Sequence, residues 1–236
     1  MDGYLQKGEI TWEEIVIMYS GLQLTFQSDR LVAISGVARL MHNKTGYEYV
    51  AGLWKEQLPS QLLWAPWYGK VRRPIGSVPS WSWVSIDGRV SERWAVPEWL
   101  LVFRSFCQIE KSDLQFAGDD PYGEVLSRRT LRVHPLIVIK TQDSDCPFMV
   151  DSDIKGFSDP YASIQFCLPV CELDFQNPES SGYPRLKGLL LESVPGIIRG
   201  RFHWVGLFTH DDGRFRGLKN SDILADQTHW AHDSIL

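Results

Sequence analysis

The chain has 236 residues, of which 44% are apolar and 22% charged, and its formal net charge is −5. That length can bury a sizeable core, and the acidic balance excludes a general nucleic-acid binder, because phosphate neutralisation needs a basic field. Ten tryptophans are the unusual feature: they demand aromatic-rich packing layers or a surface that stacks flat ligands.

No apolar window reaches membrane-spanning length, and the first ten residues, MDGYLQKGEI, have no apolar leader core. The expectation is a cytoplasmic chain without membrane contact. Four cysteines (Cys107, Cys146, Cys167 and Cys171) lack the paired spacing of a zinc site, so no metal is expected. Cys167 and Cys171 are four apart, which puts them on one face of a strand as two buried thiols.

The first predicted helix starts at a capping box, Thr11 with Glu14, and Gly21 ends it. Trp12, Ile15, Val16 and Tyr19 recur along it at helical spacing. A second helix is capped by Ser28, with Asp29 favouring its positive end. Its buried stripe is Leu31, Ile34, Val37, Ala38 and Met41, and Arg39, His42 and Lys44 crowd its last turns before Gly46. Gly36 falls inside this helix, which suggests that another backbone passes close by. In Tyr49–Trp54, Gly52 predicts a bend that returns Leu53 and Trp54 onto the helices. Leu58–Trp64 is a candidate short helix with Pro59 in its first turn. The Pro- and Gly-rich stretch Ala65–Val78 marks an internal boundary, giving a helical segment over 1–78 and a β-rich part over 79–236 that share one core.

Pro79–Gly88, PSWSWVSIDG, reads as the strand at that seam, with Trp81 and Trp83 on one face and Val84 and Ile86 on the other. Beyond it, Leu100–Glu110, Ser127–Thr141, Ser163–Leu173, Gly188–Ser193 and Arg201–Thr209 read as strands separated by turn signals. Pro135 places the second of these at an edge or a bulge. Ser221–Leu236 is a weak amphipathic helix or an extended arm. The predicted fold class is α+β: a layer of two to three helices packed on a mainly antiparallel sheet that curls into a barrel or sandwich.

Several segments hold residue types that could carry chemistry. Asp151–Asp159 lacks the ligands of an EF-hand loop, with Lys155 at the fifth position and Ala162 at the twelfth. His229 and His232 share a helix face without a third ligand. His203, His210 and Asp211 flank a strand, and Ser85 or Cys107 are the nominal nucleophiles, but no G-x-S-x-G elbow is present. No catalytic residues and no cofactor are therefore expected. Trp64, Trp67, Trp81, Trp83, Trp94 and Trp99 could line a carbohydrate- or small-ligand-binding cleft, though core packing is the favoured reading. Trp67, Trp94 and Trp99 form the possible binding surface.

The order W-x-x-x-V-x-x-YS, LT, DRL-x-A-x-SG-x-A, YVAGLW, LLW and PSWSW resembles fungal heterokaryon-incompatibility (HET) proteins, in the region downstream of their core. Its carriers include Trp12, Tyr19, Asp29, Arg30, Gly36, Gly52, Trp54, Trp64, Trp81 and Trp83. The blocks of the HET core, to which cell-death activity belongs in such proteins, do not occur in this sequence. Val32 and Val78 depart from the usual proline and alanine. The resemblance implies a truncated, non-catalytic accessory module in self/non-self recognition that contacts a HET-type core or a regulatory protein. The predicted contact is an exposed apolar face of Trp12, Tyr19, Leu31 and Met41.

Overall fold

The computed structural model describes residues 10–58, 60–67, 71–72, 78–91, 100–105, 108–116, 118–134, 139–141, 149–150, 154–155, 165–175, 185–193, 201–210 and 233–235. The fold is α+β, with two α-helices and mainly antiparallel sheet among these residues.

Helix α1 spans Trp12–Ser20, and both halves of the Thr11/Glu14 capping box form. Gly21 caps its other end in an ordinary right-handed conformation. Helix α2 spans Arg30–Thr45 and stops at Gly46, whose φ of 75° is the left-handed cap that glycine adopts without penalty. Its N-cap is Asp29 rather than Ser28, whose hydroxyl instead donates to the Asp29 carboxylate.

The inner face of α2 is Arg30, Leu31, Ile34 and Ala38, all buried; Met41 is partly buried and Val37 is exposed. Arg30, which was not expected in the core, is tolerated there because three carbonyls accept from its guanidinium. Among the described residues no backbone passes near Gly36: a Cβ there would meet nothing within 4 Å. The glycine thus costs α2 about 1 kcal/mol relative to alanine with no packing reason among those residues.

Strands β1 (Tyr49–Val50) and β2 (Leu53–Trp54) form a hairpin whose two loop residues, Ala51 and Gly52, both have positive φ, as type I′ turns require. A short 3₁₀ turn, Ser60–Leu62, stands where a helix over Leu58–Trp64 was expected.

Pro79–Gly88 is not a strand. Its centre is a 3₁₀ turn, Trp83–Ser85, whose N-cap Ser82 accepts from the Val84 amide. The reading failed because Ser82 and Ser85 use their hydroxyls on nearby backbone groups, which favours turns over a ladder. Burial was foreseen on both sides of this segment and is what the structure shows, with Trp81, Trp83, Val84 and Ile86 all at 3% exposure or less.

The rest is sheet. Leu100–Glu110 is not one strand but parts of two, β4 (Leu100–Ser105) and β5 (Gln108–Phe116). Ser127–Thr141 also divides, into β6 (Val125–His134) and β7 (Ile139–Thr141), on either side of Pro135. Further strands are β8 (Met149–Val150), β10 (Gln165–Phe175), β11 (Arg185–Ser193), β12 (Arg201–His210) and β13 (Asp233–Ile235). Two small strands, β3 (Val71–Arg72) and β9 (Ile154–Lys155), pair parallel with each other. They fall in stretches read as a connection and as an acidic loop. Within Ser221–Leu236, β13 is the extended alternative.

The nine-stranded sheet runs β4-β10-β11-β12-β13-β6-β5, with β7 on β10 and β8 on β12. The two terminal strands of that order are separated in sequence by only Phe106 and Cys107. Since a residue spans at most about 3.6 Å, the two sheet ends must come close together, which curls the sheet. A bulge between Pro169 and Cys171 shifts the β10–β11 register. Cys171 is buried, as expected of it, and the side chain of Cys167 lies outside the described residues.

A single apolar cluster runs from α1 through the hairpin and the 3₁₀ turn into the sheet, from Trp12 to Trp204. The junction is specific: Trp64 stacks on Trp204 at 4.1 Å, and the Trp204 amide donates to the Ser80 hydroxyl at 3.0 Å.

Replacing Gly52 tests this arrangement most sharply. A Cβ there would stand 2.7 Å from Trp83 Nε1, on a backbone already at φ 94°. Gly52→Ala is expected to destabilise the fold by about 2–4 kcal/mol, read as a lower urea midpoint at unchanged m.

Candidate functional site

The residues singled out by the recurring sequence blocks meet in space. Gly52 lies at their centre: its carbonyl accepts from Trp12 Nε1 at 2.9 Å and from Trp83 Nε1 at 2.8 Å. The Ser82 hydroxyl donates to the neighbouring Ala51 carbonyl at 2.6 Å. Trp54 packs edge-on to Trp12, with centroids 5.3 Å apart, and Trp64 donates its indole N–H to the Trp81 carbonyl at 2.8 Å. Trp12, Trp54, Trp64, Trp81, Trp83 and Trp204 are all at 2% exposure or less, so these rings line no open cleft.

Arg30 forms a second knot. Its guanidinium donates to the carbonyls of Ser20 at 2.9 Å and Gly88 at 3.2 Å, and also to that of Ile86. Tyr19 closes the arrangement from α1 by donating to the Arg30 carbonyl at 2.9 Å. Burial pulls the Arg30 pKa down, and the charge of Asp87 acts against that shift. Arg30 thus joins the end of α1, the start of α2 and the chain after the 3₁₀ turn. Asp29, by contrast, is exposed at the helix N-terminus, and Gly36 is exposed on the outer face of α2.

Of the three tryptophans proposed as a binding surface, Trp67 is 38% exposed, with the Arg89 guanidinium 4.9 Å above its ring. Trp94 and Trp99 lie outside the described residues. The nominal catalytic groups do not assemble among the described residues. Ser85 is buried and donates to the Ser80 carbonyl at 3.2 Å. Cys107, Asp211, His229 and His232 lie outside the described residues. Cys171 is buried, and desolvation pushes its thiol up to about 11, the reverse of an activated nucleophile. No group of three metal-ligating side chains occurs among the described residues. No helix there is long and apolar enough to cross a membrane.

One groove, of about 480 Å³, lies where the end of α2 meets the loop before β6, and its lining includes Arg39, His42, Glu48 and Tyr122. Arg39 pairs with Asp120 and sits 4.6 Å over the Tyr122 ring, while His42 Nδ1 lies 2.7 Å from the Tyr47 carbonyl. Tyr49, also in the lining, stacks on Tyr122 at 5.1 Å. Burial raises the Tyr49 phenol strongly, and its hydroxyl finds no hydrogen-bond partner among the described residues; the Gly52 amide eases its ionised form without reaching bonding geometry. Two charged residues of the lining, Arg39 and Glu48, are paired with Asp120 and Lys55, which lie outside it. The pairing of Arg39 with Asp120 was not read from the sequence, since 81 residues separate the two.

The expected docking face is closed. Trp12 and Leu31 are 2% and 4% exposed, and Tyr19 and Met41 are partly buried, because this is the side that covers the hairpin and the 3₁₀ turn. The exposed apolar residues lie elsewhere. Met18, at 58%, lies in the last turn of α1, Leu22 and Phe26, at 60% and 65%, follow its end, and Val32, Val37 and Leu40 lie on α2.

No family model matches the chain, and no curated protein or solved structure matches it either.

Two substitutions follow from this geometry. Arg30→Met leaves three buried carbonyls without a donor and should cost about 3 kcal/mol or more in chemical denaturation. Arg30→Lys should recover only part of that loss, because an ammonium lacks the planar fork. For Cys171, the folded thiol titrates near 11 against an ordinary value of 9.0. Its contribution is complete below pH 9 and is lost as pH rises through 11, because the unfolded chain gives up its proton first. In a variant retaining Cys171 as the one cysteine, disulfide-reagent labelling at pH 8 should proceed no faster than unfolding.

Proposed function

We propose that this chain is a non-catalytic accessory module of a HET-type protein, acting in the cytoplasm in fungal self/non-self recognition and programmed cell death. The observation that carries this reading is the convergence of dispersed motif residues. Trp12, Tyr19, Arg30, Gly52, Trp54, Trp64, Trp81 and Trp83 span seventy-two positions, yet they form two adjoining hydrogen-bonded knots in one core. Sequence blocks held in a fixed order act as a signature when they encode one packing unit, and here they do. The engaged hydroxyl of Ser85 and the protonated thiol of Cys171 support a binding role over a catalytic one.

In this reading the partner contact lies not on the inner helical face but on apolar residues at and after the end of α1. Met18, Leu22 and Phe26 offer anchors of the kind that dominate protein interfaces. The occupant is a HET-type core or a regulatory protein. The alternative of sugar or small-ligand binding on a tryptophan cluster loses Trp64, Trp81 and Trp83 to the core and retains Trp67 among the described residues.

The test is direct binding of the purified chain to a HET core by calorimetry, together with co-expression of the two in a fungal host. Binding, accompanied by altered cell death, is expected. Phe26→Glu or Met18→Glu should weaken binding by about tenfold or more at unchanged thermal stability. A core that neither binds the chain nor changes its killing in its presence sinks the proposal.

A further inference from the structure

Two of the places where the helical layer meets the β part differ in kind. At one, Trp64 and Trp204 stack without any exposure, and the Trp204 amide donates to the buried Ser80 hydroxyl. At the other, the end of α2 meets residues 118–124, among which Tyr122 is the buried one. Its ring stacks on Tyr49, meets His42 edge-on with centroids 6.2 Å apart, and lies under the Arg39 guanidinium.

Asp120 fastens this segment. Its Oδ1 accepts from the Tyr122 amide at 3.0 Å, its carbonyl accepts from the Gly123 amide at 3.0 Å, and its Oδ2 pairs with Arg39. The two side chains of that ion pair are 49% and 45% exposed, and exposed pairs contribute little and are screened by salt. The groove of about 480 Å³ beside Tyr122 leaves that flank unfilled. Beneath Tyr122, Tyr49 carries a buried hydroxyl with no hydrogen-bond partner among the described residues. A phenylalanine would make the same stack without that cost.

We propose that residues 118–124 form a strap that lifts Tyr122 off Tyr49 while the Trp64–Trp204 junction stays closed. Three local features point the same way. The fastening is exposed, the flank is unfilled, and the ring under Tyr122 holds an orphan hydroxyl that gains a partner once water reaches it. Lifting joins the groove to the uncovered face of Tyr49, so the strap controls access to an aromatic surface beside the last turns of α2. Ionic strength is its physical input, acting on the Arg39–Asp120 pair. This device is separate from the partner contact at the end of α1 and does not depend on it.

Amide hydrogen exchange on the full chain, resolved by residue with NMR, reads the strap at Tyr122 and Gly123 and the junction at Trp204. The strap amides should exchange about tenfold or more faster than the Trp204 amide. Raising sodium chloride to about 0.5 M should widen that gap. Arg39→Ala, a change at an exposed position, should speed the strap amides by about fivefold to tenfold and leave Trp204 unchanged. Tyr49→Phe should slow them by about threefold or more, which a purely structural role for the phenol would not do. A common rate for strap and junction, a strap indifferent to both salt and Arg39→Ala, or one that Tyr49→Phe fails to slow overturns the proposal.

Discussion

The carbonyl of Gly52 holds this structure together. It is buried at the tip of a two-residue hairpin loop, and a buried acceptor left without donors would cost a substantial part of a domain's stability. Two indole N–H groups satisfy it, one from α1 and one from the 3₁₀ turn, at sequence separations of 40 and 31 residues. Each indole would itself be a buried orphan donor without that oxygen. Three segments that share no local propensity are thus fixed relative to one another by mutual need. The glycine is obligatory on two independent grounds, the left-handed φ and the proximity of Trp83. Arg30 repeats the logic at the other end of the helices, with the polarity reversed: there one donor group serves three carbonyls from two segments.

These knots explain how the helical layer meets the sheet. Hydrophobic burial alone is non-directional and would let the helices slide over the β layer. The indole and guanidinium bonds remove that freedom, and the stacking of Trp64 on Trp204, with Ser80 bonding the Trp204 amide, carries it into β12. Ser82 extends the same restraint to Ala51, a non-glycine residue at positive φ, which persists because its surroundings over-determine it.

Local signals were legible wherever local chemistry decides the outcome. The capping box at Thr11, the left-handed stop at Gly46 and the bend at Gly52 each depend on a few neighbouring residues, and each is where the residues place it. The α+β class was also legible, from the change of hydrophobic period after residue 79. What failed needed partners distant in sequence. Alternation in PSWSWV imitates a strand, but its serines close a 3₁₀ turn instead. Leu100–Glu110 alternates without interruption, yet it divides between the two ends of a curled sheet. Periodicity assigned Val37 to the core, whereas Arg30 has the partners that make its burial tolerable. The inner helical face was correctly recognised as apolar and wrongly left open to solvent, because its covering layer comes from residues 49–54 and 78–91.

The two faces of α2 clarify why so little of a functional site could be read directly. An amphipathic helix declares its exposed side by being polar, so any departure from polarity there is the informative signal. In α2 that signal is weak in sequence, because the exposed Val32, Ala33, Val37 and Leu40 alternate with the core residues Leu31, Ile34 and Ala38. The outer face is mixed, since Arg39 and Asn43 are exposed on it as well. Of the motif residues, Trp12, Tyr19, Arg30, Gly52, Trp54, Trp64, Trp81 and Trp83 belong to what keeps the fold, whereas Asp29 and Gly36 lie on the exposed side of α2. Arg30 could not be exchanged for an aliphatic residue without breaking the core, whereas nothing in the fold requires Leu40 to be a leucine.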